Sequence, residues 1–402
     1  MAAQPPGGEP APSDGRLPAA SLGVRDFGIY VHVPFCATRC GYCDFNTYTA
    51  AELGSDGSTD SYLTAVRREL QLARNVLGHA DRPISTVFFG GGTPTLLAAH
   101  ELCGILNQMS DEFGIATDVE VTCEANPDSV SPESLAALRS AGFTRMSFGL
   151  QSTSQRALAV LERTHTPGRA VAAIEQARAA GFNHVNADVI YAIPGESDAE
   201  LVETLQAVID SGVDHVSAYS LIVEDGTRLA SQVRRGDVIP TDDDVAADRY
   251  LLVDQALAGV GMDWYEVSNW SRDGGQCRHN MGYWRGADWW GIGPGAHSHV
   301  GGVRWWNVRH PSEYSTLLAA GKSPAQAREL LTPEDQRVES ILLQLRLSVG
   351  LDLSVLRAAG RAAAAAAVND GLLDPGSLAR GRAVLTLSGR LLADALVRDL
   401  ID

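Results

Sequence analysis

The sequence lacks a long apolar run, an excess of basic residues, and the cysteine density of a disulfide scaffold. No segment approaches the roughly 20 consecutive apolar residues of a membrane helix, so stable membrane insertion is not expected. Lys and Arg total 32 against 49 Asp and Glu, a formal net charge of -17. That balance excludes general nucleic-acid binding, which needs a basic surface, but leaves room for an anionic ligand in a local basic pocket. Residues Met1 to Gly23 are rich in Pro, Gly, Ala and acidic side chains, not ordered as a basic and then apolar leader. The expectation is a cytoplasmic protein with a disordered N-terminal tail over residues 1–24. Six cysteines in 402 residues are too few to staple a chain this long, yet three fall within eight residues, a density that favours metal binding in a reducing compartment. Cys103 and Cys123 read as buried small hydrophobes.

What is present is a regular alternation of short β-rich runs and longer helical patterns, the signature of βα units around a parallel sheet. Strands are expected at Gly28–Val33, Ser85–Phe89, Asp118–Cys123, Arg145–Gly149, His184–Ile190 and His215–Ser220. Helical patterns lie between them, with start signals such as Ser131-Pro132 and Ser197. Six such units predict an α/β fold, an open (β/α)6 partial barrel over residues 25–262. In this architecture chemistry gathers where the strands end. Cys36, Gly90-Gly91-Gly92-Thr93-Pro94, Glu124, Gln151 and Asp188 all fall at such ends, so residues distant in sequence should share one cavity mouth. A Trp-, Gly- and His-rich stretch occupies residues 263–331. Residues 332–402 then read as a small, mainly helical, winged-helix-like domain with a short strand at Ala383–Leu387 and a last helix at Gly389–Leu400.

Cys36-Ala37-Thr38-Arg39-Cys40-Gly41-Tyr42-Cys43 places three thiols in one loop, enough for three corners of a cubane cluster. A structural zinc site would need a fourth ligand, and no second knuckle comes after it at suitable spacing. Cys-x-x-x-Cys-x-x-Cys after a first strand resembles the defining motif of radical-SAM proteins. The resemblance implies a [4Fe-4S] cluster on Cys36, Cys40 and Cys43, whose open iron binds S-adenosyl-L-methionine (SAM), a source of the 5′-deoxyadenosyl radical. Tyr30-Val31-His32-Val33-Pro34-Phe35-Cys36 and Phe89-Gly90-Gly91-Gly92-Thr93-Pro94-Thr95 are similar to the branch that holds oxygen-independent coproporphyrinogen III dehydrogenase and the HemW-type haem chaperones. That likeness implies Tyr30 and Tyr42 near SAM, Gly91, Gly92 and Thr93 at its methionyl group, and Glu124, Gln151, Arg163 and Asp188 at its polar groups. The residue types suit those roles: a guanidinium fork pairs with a carboxylate, and a carboxylate accepts from an ammonium or hydroxyl.

Two features separate the branch members. Phe45 stands where the dehydrogenase is expected to carry a further cysteine. Downstream, Cys277-Arg278-His279-Asn280-Met281-Gly282-Tyr283-Trp284 resembles the His-Asn-x-x-Tyr-Trp motif of the haem chaperones. His279, Tyr283 and Trp284 are therefore candidate haem contacts, with His297 and His299 as alternative iron ligands. A hydrogen-bonded core histidine and simple aromatic packing are the competing readings. Gly291-Ile292-Gly293-Pro294-Gly295-Ala296-His297-Ser298 is expected to shape the cavity rim. The resemblance implies a haem chaperone that passes haem to acceptor proteins, membrane-bound respiratory components among them. The rival readings are the decarboxylating dehydrogenase and a cluster-bearing interaction protein with no catalytic role.

Overall fold

A computed structural model describes residues 7–18, 25–54, 58–78 and 83–401. Six parallel strands form its centre: β2 (Phe27–Val33), β3 (Ile84–Gly91), β4 (Ile115–Ala125), β5 (Arg145–Gln151), β6 (His184–Tyr191) and β7 (His215–Ser220), adjacent in that order. Each matches an expected strand within a few residues, and a helix crosses between successive strands. The alternation of side chains along a strand separates two faces. Ile29, Val31, Val87, Phe89, Val121, Cys123, Met146 and Phe148 join helix residues such as Val66, Leu70, Leu102 and Ile105 in the main core. The other set carries Tyr30, Thr86, Phe88, Glu120, Thr122, Glu124, Arg145, Ser147, Asn186 and Asp188. Several of these polar residues bond one another there, as Arg145 does to Glu120 and Asn186 to Ser147 and Asp188.

Residues 263–331, expected as a region of their own, instead extend the same sheet at both edges. β8 (Asp263–Glu266) and β9 (Asn269–Ser271) form a hairpin whose β9 pairs with β7. On the opposite side β10 (Asp288–Ile292) lies parallel to β2, with Trp290 opposite Ile29. β11 (His297–Val300), β12 (Val303–Asn307) and β13 (Ala325–Leu330) continue outward in antiparallel fashion. β1 (Glu9–Pro10) pairs with β13, and the Arg328 Nε donates to Glu9 Oε1 at 2.7 Å. That part of the leader is thus tied down, against the expectation of a disordered tail. Residues 1–6 and 19–24 of the tail lie outside the described residues.

The C-terminal segment packs helices Pro333–Gln344, Ala358–Asn369 and Ala393–Ile401 around a second core that includes Ile341, Leu345, Leu356, Leu396 and Leu400. Its strand is shorter than expected: Arg382–Ala383 pairs with Leu351–Asp352, while Leu385 bridges Leu373. The last helix divides into Leu387–Leu391 and Ala393–Ile401.

A buried ion pair fastens the start of the parallel strands to the segment that carries His279. The Arg145 Nε lies 3.3 Å from Glu120 Oε2, with the two side chains 2% and 5% exposed. Arg145 Nη2 also donates to the Gly275 carbonyl at 2.6 Å, and Glu120 Oε1 accepts the His279 amide at 3.0 Å. Removing the cation would leave a buried carboxylate without its partner. Arg145→Ala is expected to lower unfolding free energy by about 3–5 kcal/mol, measured by chemical denaturation.

Candidate functional site

The loop after β2 is held by backbone bonds at both ends. The Cys36 amide donates to the Tyr48 carbonyl at 3.0 Å and the Tyr48 amide to Pro34 at 2.7 Å. Inside the loop, the Cys43 amide donates to Cys40 at 3.3 Å and the Gly41 amide to Leu161 at 3.0 Å. Cys36, Cys40 and Cys43 are free thiols, each half-buried. Burial pushes the Cys36 thiol up and that of Cys43 to about 11. Arg163 Nη1 stands 3.4 Å from the Cys40 Sγ, while its Nη2 donates to the Gly149 carbonyl at 3.0 Å. Among the described residues, no three His, Cys, Asp or Glu side chains converge as ligands of a single metal ion. The donor set fits an iron–sulfur cluster instead: three soft sulfur donors, one per iron, with deprotonation supplied by metal binding itself.

The glycine turn after β3 packs directly on this loop. Gly92 donates to the Val33 carbonyl and Thr93 to the Phe35 carbonyl, both at 2.8 Å. A Cβ on Gly92 would collide with the Phe35 carbonyl oxygen, and Gly91 has φ of +103° with the His32 ring against it. The turn is thus glycine-rich first because two backbone segments meet there. The Gly91 amide also donates to Glu124 Oε2 at 3.1 Å.

Glu124 and Asp188 form a half-buried acidic wall. Burial, and then the Asp188 carboxylate, raise Glu124 from 4.5 to about 8. Burial also raises Asp188, although Asn186 Nδ2 donates to it at 2.7 Å and Ser147 Oγ at 3.3 Å. Two acids so placed are suited to a ligand that brings an ammonium group or sugar hydroxyls. Gln151 sits at a bulge at the end of β5, its amide beside Gly149, with φ of +66° in the left-handed region that a side chain rarely adopts. Gly149, two residues earlier, leaves the space that the Arg163 guanidinium crosses. The Tyr30 hydroxyl bonds His32 Nδ1 at 3.1 Å, and Tyr42 packs beside Leu161 and Ile193. Tyr30, Gly91 and Glu124 face a cavity of about 320 Å³ whose other wall carries Asp44, Phe45, His297, Trp306 and Arg309. Asn46 escapes sequence reasoning, yet its Nδ2 donates to the Pro294 and Arg309 carbonyls at 3.0 and 2.9 Å, clamping the cluster loop to the glycine-rich segment. Its only signal was its place three residues after Cys43.

His279, Tyr283 and Trp284 are not brought to this mouth. They lie on the helix Arg278–Arg285, which enters β10 and so sits where the parallel strands begin. His279 is buried, with Nδ1 bonded to Thr86 Oγ1 and Nε2 to the Tyr283 hydroxyl, both at 2.9 Å. Burial lowers the imidazole to about 4, so it is neutral and able to ligate. A cavity of about 420 Å³ adjoins it, lined by Met281, Tyr283, Arg285, Trp289 and Val349 among others. Trp284 leans toward Glu266 instead, and Trp290 is a core residue packed on Trp305 at 4.8 Å.

The raised Glu124 value carries a sign. Its contribution to stability is complete below about 4.5 and is lost as pH rises through about 8. Above the ordinary range of the imidazoles that burial lowers, denaturation between about pH 7 and 8 should show the ligand-free protein weakening as pH rises. Glu124→Gln should flatten part of that slope, while Asp188, and Glu69, Glu196 and Glu266, which burial raises to about 7, 7 and 8, contribute to the remainder.

The model of the radical SAM superfamily matches residues 30–208. Heme chaperone HemW of Mycobacterium tuberculosis H37Rv is 54% identical over 383 residues, 95% of this chain and 96% of that one. Heme chaperone HemW of Bacillus subtilis 168 is 32% identical over 324 residues, 80% of this chain and 84% of its own length. The solved structure of coproporphyrinogen III oxidase, HemN, from Escherichia coli superposes with a TM-score of 0.78, covering 94% of this chain and 89% of that one. At 23% identity that likeness establishes the fold alone. With thiol triad, strand order and near full-length identity in agreement, the chain belongs to the radical-SAM superfamily and, within it, to the HemW haem chaperone family.

Proposed function

We propose that this chain is a cytoplasmic haem chaperone that holds a [4Fe-4S] cluster on Cys36, Cys40 and Cys43, binds SAM beside it, and passes haem to acceptor proteins. The superfamily implies SAM and an iron–sulfur cluster. An open iron in such a cluster supplies a binding point for the amino and carboxylate groups of SAM. Around it, Tyr30, Tyr42, Gly91, Gly92 and Thr93 would border the methionyl part. Glu124, Gln151, Arg163 and Asp188 would meet the polar groups. The paired acids support this reading, because a cationic ligand between them would offset the burial and the Asp188 repulsion that lift Glu124.

Haem uptake is assigned to the cavity beside His279 and Tyr283, with Trp284, on the same helix but turned toward Glu266, reached only if it swings round. The observation that carries this assignment is a neutral, buried imidazole at the wall of a cavity that also exposes aromatic faces. Arg285 at the rim offers a fork to a propionate. Ligation at Nε2 requires the Tyr283 hydroxyl to leave it. Acceptors in membrane-bound respiratory complexes would be met from solution, since among the described residues no helix is long and apolar enough to cross a membrane.

One anaerobic preparation, reconstituted with iron and sulfide, tests the proposal. Each of Cys36→Ala, Cys40→Ala and Cys43→Ala should abolish the cluster's visible absorption. His279→Ala should weaken haem binding by roughly 10–100-fold in a spectrophotometric titration. Decarboxylation of coproporphyrinogen III with release of 5′-deoxyadenosine would identify the dehydrogenase instead.

A further inference from the structure

The cavity beside the cluster loop contains a second imidazole in a different condition from His279. His297 is exposed at the start of β11. Among the described residues, neither of its ring nitrogens takes a hydrogen bond. Its ring lies nearly parallel to that of Trp306, directly opposite on β12, with centroids 5.8 Å apart and planes at 27°. Burial of its inner edge, then Arg304, holds the imidazole below its ordinary pKa, in the neutral ligating form. Across the cavity stands Phe45, 61% exposed, its flat apolar face open to a ligand in that cavity. The position of Phe45 is not casual. Its neighbour Asn46 is clamped to the Pro294 and Arg309 carbonyls, and Gly295, at φ of +74°, has no side chain because Asn46 Nδ2 occupies that space. Arg309 lies on the same rim.

We infer that this cavity is a second iron-porphyrin site, in which His297 ligates the metal, Phe45 and Trp306 border the macrocycle and Arg309 meets a carboxylate at its edge. The inference rests on the haem-chaperone reading but not on His279. A volume of about 320 Å³ admits one edge of a macrocycle and leaves the rest in solvent. Such half-open binding suits a carrier that must let its cargo go, because the acceptor can engage the exposed edge first. At His279, by contrast, both nitrogens are engaged and the ring is buried. The inner wall of the same cavity, Tyr30, Gly91 and Glu124, remains to SAM, so SAM and porphyrin would be neighbours there.

Hemin titration of the cluster-loaded protein, with subsequent transfer to excess apomyoglobin, tests the site. His297 and Phe45 are both exposed, so His297→Ala, His297→Met and Phe45→Ala should leave thermal stability unchanged. The wild type should show two binding components, the faster-releasing one lost in His297→Ala and weakened by about tenfold or more in Phe45→Ala. His297→Met should keep that component with an altered visible spectrum, which a merely structural residue would not produce. Loss of this component in His297→Ala with none lost in His279→Ala would uphold the site and remove the assignment to His279. Binding, spectrum and release that are unchanged in His297→Ala would overturn the inference, whether His279→Ala abolishes haem uptake or not.

Discussion

Seven strands, β2 to β7 and β10, run in one direction, and the two ends of the protein owe their different chemistry to that alignment. Hydrogen bonds between parallel strands fix direction as firmly as register. Every loop that leaves a strand therefore emerges at one end. The cysteine loop, the glycine turn, Glu124, Gln151 and the Gly293-Pro294-Gly295 segment gather there, although nearly 260 residues separate the first from the last. The Glu120–Arg145 pair and the helix bearing His279 lie at the other end, where the chain enters the strands.

Between the ends stands a layer of aromatic rings. Tyr30 and Phe88 are 6.2 Å apart by centroid, and His279 stacks on Phe88 at 5.3 Å and on Tyr30 at 6.5 Å. Tyr30 faces the cluster-side cavity with its hydroxyl end, while His279 borders the opposite one. The two cavities are thus back to back, separated by little more than this layer. Close packing holds such a layer in one arrangement, so the same rings shape the walls of both cavities. Tyr283, bonded to His279 and 4.6 Å from Trp289 by centroid, is the piece of that layer nearest the second cavity.

Much of this architecture was legible in the residues. Short β-rich runs bounded by turn residues marked all six inner strands, because a strand packed against helices by one face alternates apolar with polar residues. The cysteine spacing pointed to a cluster loop since three thiols in eight residues leave little else for them to do. Other features left no local signal. The clamp by Asn46, the burial of Arg145 against Glu120, and the reason for Gly92 all arise from partners many residues away, and polar residues look alike in sequence whether solvated or buried. The leader resembled a disordered tail in composition, yet Glu9–Pro10 found an unpaired edge on β13.

Pattern and spacing alone thus settled the six βα units, the position of Cys36, Cys40 and Cys43 at the head of the first, and the ring of polar residues at the strand ends. Those features come from periodicity and from the rule that loops emerge where strands finish. Where His279 and His297 sit could not be settled that way. The pairing of β10 with β2 places the helix before β10 at one end and the residues after it at the other, sending two histidines only 18 positions apart to opposite cavities. Pairing of that kind depends on which edge of a sheet remains open after the rest has folded, and no window along the chain contains it.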